Sequence, residues 1–152
     1  MQLRSSDFAA GGSLPRPLMA TECGGENRSP ALTWANAPKG TKSFALVVHD
    51  PDAPIPGGFY HWVAYNLPMA TNHLNPNAQL SPDELGVTSA GKAGYSGPCP
   101  PPGPAHHYVF TLYALDEARI SGHAPLRGAQ LEREMSGHII ARAVLKGTAW
   151  RP

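Results

Sequence analysis

The sequence predicts a mainly β fold, all-β or α+β with antiparallel sheets, and three observations carry that prediction. Strand-like apolar runs come first along the chain and a single helical pattern comes late, without the strand–helix alternation of a parallel sheet. The 17 Pro and 16 Gly among 152 residues cut the chain into short segments, as turns between strands require. Only 15% of residues are charged against 41% hydrophobic, a balance too apolar for disorder. The length fits one domain, residues 1–152, and no linker or internal repeat divides it.

Residues 1–40 are rich in turn formers, among them Gly11-Gly12, Pro15, Pro17, Gly24-Gly25, Pro30 and Pro38. Short strands fit between them, such as Ala31 to Trp34. Phe44 to His49 sets five apolar residues in a row between a turn at Lys39-Gly40 and the stop at Pro51. Apolar residues on consecutive positions imply burial on both faces, hence a central place in a sheet. Tyr60 to Leu67 is the second strand, stopped by Pro68. Residues 68–107 form one long irregular region, a length of loop that is usually functional or disordered. Tyr108 to Leu115 is the third strand, rich in aromatic and β-favouring residues. Finally, Leu131, Met135, Ile139 and Ala143 recur at every fourth position, with Ile140 and Val144 widening the stripe. Glu132, Arg133, Glu134 and Arg142 lie off it. This pattern predicts an amphipathic helix between Pro125 and Gly147, packed on a sheet.

Charge and composition exclude several classes. A formal net charge of +1 without a basic block gives no support to nucleic-acid binding or to electrostatic docking on a membrane. No stretch approaches the roughly 18 apolar residues of a membrane span, and the first residues lack the apolar core of a signal peptide. A cytoplasmic protein without integral membrane contact is expected. Cys23 and Cys99 make no zinc motif, and free thiols are the default in a reducing compartment. A Cys23–Cys99 disulfide and a reactive Cys99 are the open alternatives. The G-x-S-x-G, P-loop, dinucleotide and H-E-x-x-H motifs are all missing. His49, Asp50, His61 and His106 are competent metal ligands, but their spacing matches no standard pattern, so neither metal nor cofactor is assigned.

The chemistry sits at strand ends. His49-Asp50-Pro-Asp52-Ala-Pro54 closes the most apolar run, His61-Trp62 follows within a dozen residues, and His106-His107-Tyr108 opens the third strand. Each has an ordinary structural role open to it. Asp50 and Asp52 can cap a turn, with Asp52 the better placed, and a strand His or Tyr is commonly a packed core residue. Three strand ends all loaded with such groups point further, to one small polar pocket. There a carboxylate orients an imidazole, and imidazolium, phenol and loop N–H groups donate to an anion. Tyr95-Ser96-Gly97 can supply such loop donors.

Asp50-Pro-Asp-Ala-Pro54, His61-Trp62, Gly97-Pro-Cys-Pro-Pro-Pro-Gly103 and His106-His-Tyr108-Val-Phe together resemble the phosphatidylethanolamine-binding protein family. The likeness is closest to its bacterial and archaeal branch of Raf kinase inhibitor-like proteins, and it runs from about Phe8 to Trp150. The resemblance implies a Greek-key β-sandwich of antiparallel sheets with peripheral helices and a pocket at one end for phosphate or phosphorylated head groups. Carried over by motif, the ligand-binding residues are Asp50, Pro54, Phe59, His61, Gly97, His106 and Tyr108, with the Gly97 N–H facing the anion. His107 stands where the motif usually has Arg, removing a permanent charge from the rim. A kinase or protease as regulated partner, and homodimers, are further implications of the family.

The function expected is therefore a small-ligand-binding regulatory protein rather than an enzyme, its ligand a small phosphorylated or anionic molecule. Two other classes fit the residues. One is a hydrolase or lyase with Asp50, His61 and His106 as its acid–base cluster. The other is a protein-interaction module using the proline-rich loop from Gly97 to Pro104.

Overall fold

A computed structural model describes residues 1–121 and 125–152. Among the described residues, seven strands build two antiparallel sheets. Strands β1 (Gln2–Arg4), β2 (Leu32–Ala35) and β5 (His73–Leu74) form the smaller one, in the order β1-β2-β5. Strands β3 (Ser43–Asp50), β4 (Phe59–Pro68), β6 (His106–Leu115) and β7 (Ile139–Ala149) form the larger, in the order β4-β3-β6-β7. After the β3–β4 hairpin the chain makes its long irregular excursion and returns to lay β6 beside β3, a Greek-key return.

The predicted central strand is central. Alternate residues of β3 serve two cores, which explains its unbroken apolar run. Phe44, Leu46 and Val48 face the space between the sheets, with Trp34 and Leu32 opposite and Trp62, Phe110 and Leu112 beside them. Ala45 and Val47 face outward, under Leu131 and Met135 of helix α1 (Gly128–Met135).

The late helix is shorter than its periodicity predicts. It ends at Met135, and Ile139, Ile140, Ala143 and Val144 belong to β7. Residues 135, 139 and 143 lie four apart, a spacing that satisfies period 2 as well as it approximates 3.6. Two local facts decide between them. Gly137 has φ +85°, a left-handed turn that ends the helix. From Ala143 onward, buried Ala143, Leu145, Gly147 and Ala149 alternate with more exposed Val144, Lys146 and Thr148, the signature of a strand. Gly147 ends no helix; it sits in β7 against Leu14, whose Cδ2 would lie 2.5 Å from any Cβ there.

Cys23 and Cys99 are bonded rather than free, with their Cα atoms 5.6 Å apart. Among the described residues no helix is long and apolar enough to cross a membrane.

Candidate functional site

Three neighbouring strands of the larger sheet end together, and their core-facing side chains turn from apolar to polar there. On β3 the inward row Phe44, Leu46, Val48 finishes on Asp50; on β6 the inward row Leu112, Phe110 begins with Tyr108 and His106. On β4 strict alternation would put His61 and Trp62 on opposite faces. The register shifts there: Val48 lies opposite Trp62 while His49 lies opposite Tyr60. His61 is the extra residue of a β-bulge, and the bulge re-aims it. Phe59 and His61 therefore share the inner face with Trp62 and Ala64, and Tyr60 points outward to Glu132 of α1.

The polar groups are held by hydrogen bonds at depth. Asp50 is 3% exposed and uses both carboxylate oxygens. Oδ2 accepts the Nδ1–H of His106 at 2.7 Å, and Oδ1 accepts the backbone N–H of Asp52 at 2.8 Å. The turn role expected of Asp52 thus belongs to Asp50, which caps the turn and holds the imidazole at once. Asp52 instead accepts the backbone N–H and ring Nδ1–H of His107, at 2.8 and 2.7 Å. Those bonds hold the Asp52 carboxyl below its ordinary range, so His107 keeps a rim contact in place of a permanent charge. His49 clasps the same loop, its Nε2–H donating to the Gly57 carbonyl at 2.7 Å.

His61 is 7% exposed, between the rings of Phe59 and Tyr108 at centroid distances of 4.6 and 5.2 Å. Its Nδ1–H donates to the Ser96 carbonyl at 2.8 Å. Burial lowers its proton affinity below the ordinary histidine value, outweighing the Ser96 carbonyl and Asp50, which favour the charged ring. Burial also raises the Tyr108 phenol, with Asp50 and Asp52 adding to the effect, so the phenol stays protonated throughout the neutral range. Among the described residues, His61 Nε2, His106 Nε2 and the Tyr108 hydroxyl have no protein partner. All three side chains line one cavity of about 620 Å³.

The opposite wall comes from outside the strands. The segment around the 3₁₀ turn Thr21–Cys23 packs on residues 95–101. Ala20 N–H bonds the Pro98 carbonyl at 2.9 Å, the Tyr95 hydroxyl donates to the Leu18 carbonyl at 2.7 Å, and the disulfide crosses alongside. Gly97 sits where no Cβ fits, since one would lie 2.5 Å from the Leu18 carbonyl oxygen. Its N–H is spent on Asn27 Oδ1 at 2.6 Å. The resemblance assigned that N–H to an anion; here it fastens the two loops together.

All seven residues named from the sequence line this one cavity: Asp50, Pro54, Phe59, His61, Gly97, His106 and Tyr108. Sequence reasoning missed Asn27 as the seat of Gly97, and Glu22 and Lys92 as charged lining residues. Nothing in their neighbourhoods marks them, because their roles arise from loop–loop packing. Among the described residues no three His, Cys, Asp or Glu side chains gather as a metal site. Two imidazole nitrogens and a phenol on side chains that line one cavity can exchange hydrogen bonds, and protons, with a small polar ligand.

The family model described as phosphatidylethanolamine-binding protein matches residues 4–150. The UPF0098 protein YbhB of Escherichia coli is 40% identical over 151 residues, covering 94% of this chain and 96% of its own. A UPF0098 protein of Aquifex aeolicus is 36% identical, covering 97% and 86%. The crystal structure of E. coli YbcL, described as a new member of the mammalian PEBP family, superposes with a TM-score of 0.92 at 33% identity, covering 99% of this chain and 98% of its own. The homologue CT736 of Chlamydia trachomatis gives a TM-score of 0.89 at 37% identity, covering 99% and 97%.

Proposed function

This chain belongs to the phosphatidylethanolamine-binding protein family, and from that premise we propose that it captures a small phosphorylated or anionic ligand at the Asp50–His61–His106–Tyr108 site. One observation carries the reading: the only polar atoms these side chains leave unpaired among the described residues, His61 Nε2, His106 Nε2 and the Tyr108 hydroxyl, belong to residues that line the same cavity. The phenol donates as it stands. Each imidazole donates through Nε2 once it takes a second proton, and Asp50 supplies the counter-charge beside His106 at 2.7 Å. Lys92 adds a fixed positive charge to the lining.

Modulation of a kinase or protease, which the family resemblance implies, is the regulatory outlet we propose for such a binder, with ligand occupancy of the cavity as the signal. The Cys23–Cys99 bond supports an oxidising compartment over the cytoplasm expected from the sequence.

Calorimetric titration with inorganic phosphate between pH 5 and 8 tests the reading. Burial depresses the folded pKa of His61, so its proton is present only on the acid side of the ordinary value. Binding that needs imidazolium donors must therefore weaken as pH rises. The expected result is an affinity that falls steadily across this range and drops by about tenfold or more in His106→Ala. Affinity indifferent to both pH and His106 would refute the proposed donor set.

A further inference from the structure

We propose that the pocket selects oxyanions that bring their own hydroxyl, phosphomonoesters and inorganic phosphate, over phosphodiesters and sulfate. The inference rests on the anion-binding reading above and sharpens it to a ligand class.

The tautomer of His61 is set by its partner. A carbonyl oxygen can only accept, so the 2.8 Å contact from Nδ1 to Ser96 requires the proton on Nδ1. On the neutral ring Nε2 then carries a lone pair, and it is the ring nitrogen that Ser96 leaves free for the cavity His61 lines. Turning the ring over would forfeit the Ser96 bond and press a C–H against the carbonyl, inside a slot already filled by Phe59 and Tyr108. The surroundings keep the ring neutral. The groups bearing on it are Asp50 and His49 from β3, His106 and Tyr108 from β6, and the Ser96 carbonyl from the loop. The attraction of Asp50 is shared with His106, to which it is directly bonded. Glu22 and Lys92 face the same cavity from its loop walls with opposite charges.

A ligand oxygen meeting His61 Nε2 must therefore carry a hydrogen. Inorganic phosphate carries a P–OH in both of its neutral-range forms, and a phosphomonoester, with its second ionisation near pH 6, carries one in its monoanion. That hydroxyl donates to His61 Nε2, while its other oxygens accept from the Tyr108 hydroxyl and from His106. A phosphodiester or a sulfate has no such hydrogen. It would set a bare oxygen against a desolvated lone pair, the mismatch that lets a site built around one hydrogen bond reject an analogue lacking it. The discrimination separates two sources of the same chemistry. A phospholipid headgroup is a diester; a small phosphorylated metabolite or a free phosphate offers the hydroxyl.

The test is a calorimetric comparison of inorganic phosphate, glycerophosphoethanolamine and sulfate at pH 7.0. Inorganic phosphate should bind about tenfold tighter than either competitor at pH 7.0. In His61→Gln the side-chain amide presents either N–H or oxygen, so binding should persist with the preference erased; matched melting temperatures show that this variant folds. Equal affinities for the three probes at pH 7.0, or a preference untouched in His61→Gln, would overturn the inference and leave the anion site standing. Failure of all three to bind would overturn both.

Discussion

Replacing Cys23 and Cys99 together by serine is expected to lower stability by about 2–4 kcal/mol, and with it the melting temperature by roughly 10 °C for a chain of this size. The bond closes a loop with a sequence separation of 76. In the chain-entropy account, removing that closure from the unfolded ensemble is worth roughly 4 kcal/mol. The variant should still fold, because the two loops the bond joins are also fastened through Ala20, Tyr95 and the Gly97–Asn27 contact. The consequence is specific to the cavity, since Thr21, Glu22, Cys99 and Pro100 all line it. Thermal unfolding with and without a reductant checks the result: reduced wild type should melt with the double variant. An unchanged melting temperature in protein whose thiols titrate as free would remove the disulfide from the account.

The second large effect is at Asp50. Asp50→Asn should cost about 2–3 kcal/mol of stability and weaken phosphate binding by about tenfold or more. The carboxylate receives two hydrogens, from Asp52 N–H and His106 Nδ1–H, at a site 3% exposed. An amide has one accepting oxygen for those two donors, and its NH₂ must face one of them. It also leaves a protonated His106 without a counter-charge, just when an anion requires that proton. Denaturant unfolding and phosphate titration measure the two losses separately. The opposite sign is informative too. If the amide variant binds phosphate more tightly, Asp50 acts only as a repelling charge and the orienting role assigned to it is wrong.

How much of this was legible in the sequence follows from which interactions are local. The three long strands were readable because their apolar runs and proline stops are local facts, and β3 announced its central place through burial on both faces. The site residues were readable as loaded strand ends, and a motif resemblance joined them. What the sequence hid depends on register and on loops. The bulge at His61 cannot be seen in an alternation pattern, yet it puts His61 and Trp62 on one face. The helix overran into β7 because residues 135, 139 and 143 satisfy two periods, and only the turn at Gly137 separates them. The Gly97 N–H was assigned to an anion because no local signal shows Asn27 reaching it across 70 residues. Likewise the division of labour between Asp50 and Asp52 turns on His107, which arrives from the far end of the long excursion.

The central claim is that His61 and His106 meet an anion through their Nε2 atoms. Long-range nitrogen–proton correlation spectra of the imidazoles, recorded at pH 7 during titration with inorganic phosphate, test it directly. The predicted result is that the His106 Nε2 signal moves toward the protonated range and the His61 Nε2 signal shifts as that of an accepting lone pair, while both Nδ1 signals stay in place, held by Ser96 and Asp50. Exposed His73 and His138, whose Nδ1 atoms pair with Asn72 and Asp116, should not respond. Unmoved His61 and His106 signals at saturating phosphate, or changes confined to His138, would contradict the account.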